Sequence, residues 1–184
     1  MDQIKILAIS GSLRKASYNT ALVNTLNDLS PANVQISVYQ ELSNLPLFNP
    51  DLEHNLPEVV IKLKHALGES DGLIISSPEY AHGITGVLKN ALDWLVSGEE
   101  FVYMPVALFN TSPRASHAQV ALREVVKTMS GSIIESACMD ILLLGSNLDT
   151  GGILKKESMT SLIKSKLMKF SLAIEQFNRQ NISV

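Results

Sequence analysis

The chain is short of cysteine, aromatic residues and charge, and each shortage excludes a class of protein. A lone Cys138 excludes a disulfide framework and any metal site built from several cysteines. Of the 184 residues 18% are charged, and 15 basic against 18 acidic side chains leave a net charge of −3. That is far from the positive field of a nucleic-acid binder. No stretch approaches the ~20 consecutive apolar residues of a membrane-spanning helix. The opening Met-Asp-Gln-Ile-Lys-Ile-Leu is too short an apolar run for a secretory leader, and Asn181, Ile182, Ser183 and Val184 carry no retention or lipidation signal. The expectation is a cytoplasmic protein without membrane or nucleic-acid partners. Core material is plentiful: 46% apolar residues exclude disorder, and the length suits one domain over residues 1–184.

Short apolar runs alternate with amphipathic segments. Ile4 to Ser10, Gly72 to Ser77, Pro105 to Phe109 and a run centred on Asp140 to Leu144 are apolar almost throughout, as strands buried on both faces should be. Val34 to Tyr39 alternates, which suits an edge strand. Between them, Asn19 to Asp28, Glu58 to Leu67, Gly86 to Val96, Ala118 to Met129 and Thr160 to Phe177 space apolar residues by three or four, as helices do. Five strands alternating with five helices imply an α/β protein with a parallel sheet. Gln40 to Pro57 has no period. It reads either as a loop folded back on its own core or as a lid or subunit contact that covers Leu47 and Phe48.

In an open parallel sheet, ligands bind beyond the carboxyl ends of the strands. The first such loop carries hydroxyls at Ser10, Ser12, Ser17 and Thr20, an amide at Asn19 and a guanidinium at Arg14, and leads into a helix N-terminus. This donor set suits a phosphomonoester; a plain capped turn would use only one hydroxyl. There is no G-x-x-x-x-G-K-[ST], no G-x-G-x-x-G and no G-x-S-x-G, so the common triphosphate, dinucleotide and hydrolase motifs are missing. No histidine pair has metal-ligand spacing, and no metal is expected; His54 and His65 read as solvated.

The second loop runs Ser77-Pro78-Glu79-Tyr80-Ala81-His82-Gly83 into Gly86-Val87-Leu88-Lys89-Asn90-Ala91-Leu92-Asp93-Trp94. Paired with Gly11-Ser12-Leu13-Arg14 and the following Ser17 and Asn19, it resembles the NAD(P)H-dependent FMN reductases, relatives of quinone, azo-dye and chromate reductases. The resemblance implies a flavodoxin-like, doubly wound five-stranded parallel sheet of order 2-1-3-4-5. It implies that Ser12, Arg14, Ser17 and Asn19, with Ser10 and Thr20 beside them, hold the FMN phosphate. Pro78, Glu79, Tyr80, Ala81, His82 and Gly83 then border the flavin ring, Gly83 allowing close backbone approach. No side-chain acid or base is needed, because two electrons pass from NADPH or NADH through FMN to a small-molecule acceptor. An electron-carrying flavodoxin or a flavin-binding regulatory module is the alternative.

Two positions depart from the family pattern. Ala81 stands where Asn is common, and the third loop, Asn110 to Gln119, replaces a glycine-rich stretch. There Ser112 and Arg114 fall beside the expected flavin, and Arg114 and His117 either meet the nicotinamide or cap the next helix. Arg14, Lys15 and Arg114 incline the co-substrate toward NADPH. The helix Gly86 to Val96, with Ile84 and Trp94, has a broader apolar face than a helix on a sheet needs. With the resemblance, this implies a homodimer or homotetramer.

Overall fold

The β-branched runs become strands because branched side chains fill a pleated surface covered on both sides. In the computed structural model, which describes residues 3–182, β1 covers Ile4–Ser10 and leads to helices α1 (Tyr18–Val23) and α2 (Leu26–Leu29). Then come β2 (Val34–Val38), α3 (Glu58–Gly68) and β3 (Gly72–Ser76). A small hairpin, β4 (Glu79–Tyr80) and β5 (Gly83–Ile84), precedes α4 (Gly86–Leu95). The chain continues through β6 (Pro105–Asn110), α5 (Ser116–Thr128), β7 (Ser132–Ile133) and β8 (Met139–Asp140). Helices α6 (Thr150–Leu154) and α7 (Glu157–Ile182) follow. The readings of the chain ends rest partly on Met1, Asp2, Ser183 and Val184, which lie outside the described residues.

The sheet is parallel and ordered β2-β1-β3-β6-β7, with β8 also paired to β6. This is the expected flavodoxin-like order. Side chains of the central strands alternate between two cores. Ile4, Ile6 and Ala8 join Leu22, Leu26 and the α7 residues Ile163, Leu167, Phe170 and Ile174 on one face. Leu7 and Ile9 join Val60, Leu63, Leu88, Leu92 and Leu122 on the other.

Several elements differ from the sequence reading. The expected helix Asn19 to Asp28 is broken after Val23, where the Thr25 hydroxyl donates to the Leu22 carbonyl at 2.7 Å and competes with the helical ladder. The fifth strand is not Asp140 to Leu144. Its place is shared by β7 and β8, and beyond Asp140 the run alternates, with Ile141 and Leu143 buried but Leu142 64% exposed. A run at the sheet edge has only one face to bury. In α5, Ala118, Leu122 and Val126 are buried. Of the expected Ala121, Leu122, Val125 and Met129, Val125 and Met129 are half-buried against the same core, so the face is centred one step further round.

The segment Gln40 to Pro57 folds back on its own chain. The Pro46 carbonyl accepts from Asn90 Nδ2 at 2.9 Å and from Trp94 Nε1 at 2.8 Å, and the Phe48 N–H donates to Asn90 Oδ1 at 2.8 Å. Phe48 meets Trp94 edge-on, centroids 5.0 Å apart, an arrangement worth about 0.5–1.5 kcal/mol beyond burial. The apolar surplus of α4 therefore has a cover within the protomer: Trp94 is fully buried and Val87 partly. Leu47 alone of the pair stays open, at 84% exposure.

Candidate active site

Strands β1, β3 and β6 end side by side, so the loops that follow them meet at one edge of the sheet. Together they wall a cavity of about 330 Å³. The first loop contributes Ser12, Arg14, Ala16, Ser17, Tyr18 and Asn19, and the second Ser77, Pro78, Glu79 and Tyr80. The third contributes Asn110, Thr111, Ser112, Arg114 and Ala115, and Leu144 closes the remaining side.

The first loop is braced from within. Ser17 is the N-cap of α1, its Oγ accepting from the Thr20 N–H at 3.3 Å. Ser10 and Thr20 share a hydroxyl–hydroxyl bond of 2.8 Å, and Ser12 Oγ accepts from the Arg14 N–H at 3.4 Å. Asn19 is buried, and its Oδ1 accepts from Ser76 Oγ at 2.8 Å and Thr111 Oγ1 at 3.2 Å. One amide oxygen thus ties the end of the first loop to the carboxyl ends of β3 and β6. Gly11 is demanded by crowding, since a Cβ there would fall 2.8 Å from Ser77 Cβ and closer still to Ser77 Oγ. Thr85, the N-cap of α4, donates to the Gly11 carbonyl at 2.7 Å and ties the second loop to the first.

The second loop is a hairpin whose turn residues, Ala81 and His82, both have left-handed backbones, φ 49° and 59°. Two positive φ values in a two-residue turn match the right-handed twist of the strands, but a Cβ disfavours them. At Gly83 an added Cβ would meet only the Tyr80 carbonyl, 3.7 Å away, so packing within the chain does not require a glycine. Glu79 anchors the hairpin. Its Oε2 accepts from the Ala118 N–H at 2.8 Å at the start of α5, whose own N-cap, Ala115, has no side chain able to do so. His82 Nδ1 lies 3.4 Å from Glu79 Oε1, and the His82 ring meets His117 edge-on with centroids 4.5 Å apart. His117 therefore packs on the hairpin, and a side chain from another loop supplies the cap of α5.

In the third loop, Asn110 Nδ2 donates to Asp140 Oδ1 at 2.8 Å while its Oδ1 accepts from the Ser112 N–H at 3.1 Å. Ser112 Oγ in turn accepts from the Arg114 N–H at 3.2 Å, and the Arg114 side chain is exposed. Of the residues singled out in sequence, Ser12, Arg14, Ser17, Asn19, Pro78, Glu79, Tyr80, Ser112 and Arg114 share the cavity wall. Ser10, Thr20, Ala81, His82 and Gly83 do not line it. Sequence reading passed over Asn110 and Thr111, although two polar residues directly after an apolar strand were a usable signal. Leu144 gave none. Cys138 lies off the cavity, its Sγ accepting from the Leu108 N–H at 3.3 Å, and burial pushes its thiol up and away from thiolate chemistry.

A doubly wound sheet with a cavity at its carboxyl edge, hydroxyl- and guanidinium-lined at one end, defines a flavodoxin-like nucleotide-binding protein. Residues 4–139 match the family described as NADPH-dependent FMN reductases, and the chain belongs to that family. It is an oxidoreductase with FMN as cofactor and NAD(P)H as co-substrate. It is 31% identical over 174 residues to a 2-hydroxy-1,4-benzoquinone reductase from Burkholderia sp., covering 91% of this chain and 94% of the relative. It is 30% identical over 181 residues to an NAD(P)H-dependent FMN reductase from Pseudomonas aeruginosa, covering 95% and 97%. Among solved structures, the flavoenzyme NAD(P)H:(acceptor) oxidoreductase FerB from Paracoccus denitrificans shares the fold, with a TM-score of 0.75 at 24% identity, over 94% of this chain and 98% of that one. No helix among the described residues is long and apolar enough to cross a membrane.

Proposed function

We propose that the chain passes two electrons from NAD(P)H, through FMN held in the 330 Å³ cavity, to a quinone. The donor set at one end of that cavity carries the reading. Ser12 and Ser17 use lone pairs to accept backbone N–H groups, so their O–H protons remain for an anion. Arg14 has no carboxylate partner among the described residues. Two hydroxyl donors, a guanidinium and the Asn19 Nδ2 fit a phosphomonoester, which prefers charge-assisted donors.

Pro78 to Gly83 border the ring, largely through backbone groups, and Ser112 and Arg114 meet it from the third loop. The open space at Gly83 and the anchoring of the hairpin by Glu79 support this. Bound FMN would supply hydride acceptance and two-electron delivery; the chain supplies position and hydrogen bonds, with the exposed Tyr80 at the cavity wall. Quinone is favoured over azo dyes, metal oxyanions and free flavin by the names of the curated relatives. Residues 1–184 act as one FMN-binding domain, supported by α7 packing into the same core as β1.

Denaturing the isolated protein and chromatographing its flavin should give FMN, and mainly FAD would overturn the reading. Arg14→Ala should raise the FMN dissociation constant about ten- to a hundredfold; titration giving the parental value would refute the phosphate site. A panel of acceptors should show the highest kcat/KM for a benzoquinone.

The exposed Leu47 supports a homodimer or homotetramer with Leu47 in the contact. Light scattering should give at least dimer mass, lowered by Leu47→Asp.

A further inference from the structure

Beside the first cavity lies a second, of about 350 Å³, walled by Arg14, Lys15, Ala16, Ser17, Tyr18, Thr20, Ala21 and Asn24 and by the segment Asn147 to Thr150. We infer that it holds the 2′-phosphorylated nucleoside end of NADPH, an inference that rests on the first cavity holding FMN. The two cavities share Arg14, Ala16, Ser17 and Tyr18 as a common wall. A nicotinamide stacked on a flavin in the first cavity has its second nucleotide one pyrophosphate away, and the neighbouring cavity offers room of nucleoside size.

The charges fit this division. Arg14 borders both cavities, but Lys15 borders only the second. Neither has a carboxylate partner among the described residues. With Arg14 committed to the FMN phosphate, Lys15 is the cation left for a second anion. The acidic member of the wall, Asp149, is engaged as the N-cap of α6, its Oδ1 accepting from the Gly152 N–H at 2.8 Å.

The far wall is held in place by bonds to α1. The Asn147 N–H donates to the Tyr18 hydroxyl at 3.2 Å, and Thr150 Oγ1 donates to the Ala21 carbonyl at 3.3 Å. Asn147 adopts φ 56°, a left-handed value that asparagine tolerates. Tyr18 and Leu148 offer apolar surface to a purine, and the amides of Asn24 and Asn147 can pair with its polar edge. NADH has no 2′-phosphate, so a contact from Lys15 discriminates between the two co-substrates rather than strengthening both.

The test titrates the FMN-loaded protein with 2′,5′-ADP and with 5′-AMP, by calorimetry. The 2′-phosphate should improve affinity by roughly tenfold, the effect of one charge-assisted contact. Lys15→Glu should remove most of that preference while FMN content is retained. Asn24→Asp, which adds a negative charge at the exposed end of α1, should lower it too. In turnover, the ratio of kcat/KM for NADPH over NADH should fall in parallel in Lys15→Glu. Equal affinities for 2′,5′-ADP and 5′-AMP overturn the inference, as does a preference that survives Lys15→Glu. Loss of FMN in Lys15→Glu also overturns it, by assigning the second cavity to the flavin phosphate. A wild-type protein that fails to retain FMN at all defeats instead the reading on which the inference rests.

Discussion

The loop after β1 and the hairpin after β3 border one cavity but are held by opposite means. The first loop is fixed by buried side chains: Asn19 accepts from Ser76 and Thr111, Ser10 pairs with Thr20, and Gly11 fits against Ser77 with no room for a methyl group. The hairpin is fixed by a two-residue ladder and one carboxylate, with its turn in solvent and two non-glycine residues in left-handed conformations. Rigid donors suit a phosphate, whose position is the same in every reaction cycle. A less deeply rooted hairpin suits the ring side, where co-substrate and acceptor must come and go.

The sharpest way to break the contrast is at Asn19. Asn19→Leu keeps the γ-branched shape but adds bulk and leaves two buried hydroxyls without their acceptor, at a cost of about 2–5 kcal/mol. Urea denaturation should show the midpoint falling with an unchanged slope, and flavin should be lost with it. A midpoint at the parental value would mean that Asn19 does not brace the site.

A smaller loss is expected on the other side. Glu79→Ala removes the cap of α5 and should cost about 0.5–2 kcal/mol. Amide exchange should accelerate at the first turn of α5 and in the hairpin, leaving β1 and β3 protected. Equal acceleration throughout the sheet would show that the hairpin is no separate unit.

The smallest effect has the opposite sign. Ala81→Asn places in the turn a residue that tolerates positive φ, recovering up to about 1 kcal/mol of the left-handed penalty. Its melting temperature should rise. If it falls instead, the turn geometry is not what limits the hairpin.

Much of this architecture was legible from residue patterns. The runs from Ile4, Gly72 and Pro105 became the central strands, and the hydroxyl-rich stretch from Ser10 to Thr20 lies at the carboxyl end of the first. Less legible was the direction in which each polar group would point. Asn19 looked like a ligand residue, but its oxygen is taken by partners 57 and 92 positions away. Glu79 was read only as a border of the flavin, and the fold gives its carboxylate a further task, capping a helix 39 residues on. Phe48 and Trp94 could each be read as surplus apolar surface until the loop brought them together.

The central strands, most of the helices and the sheet edge that carries the cavity follow from periodicity and connection rules, which are local properties of a chain and survive in a string of letters, while the strand order came from the family resemblance. The assignment of donors to protein or to ligand does not survive there. A hydrogen bond is a contact of about 3 Å that depends on where distant segments meet. Ser17 as cap, Asn19 as brace and Lys15 as the cation beside a second cavity were therefore decided only when the ends of β1, β3 and β6 and the segment from Asn147 came into register.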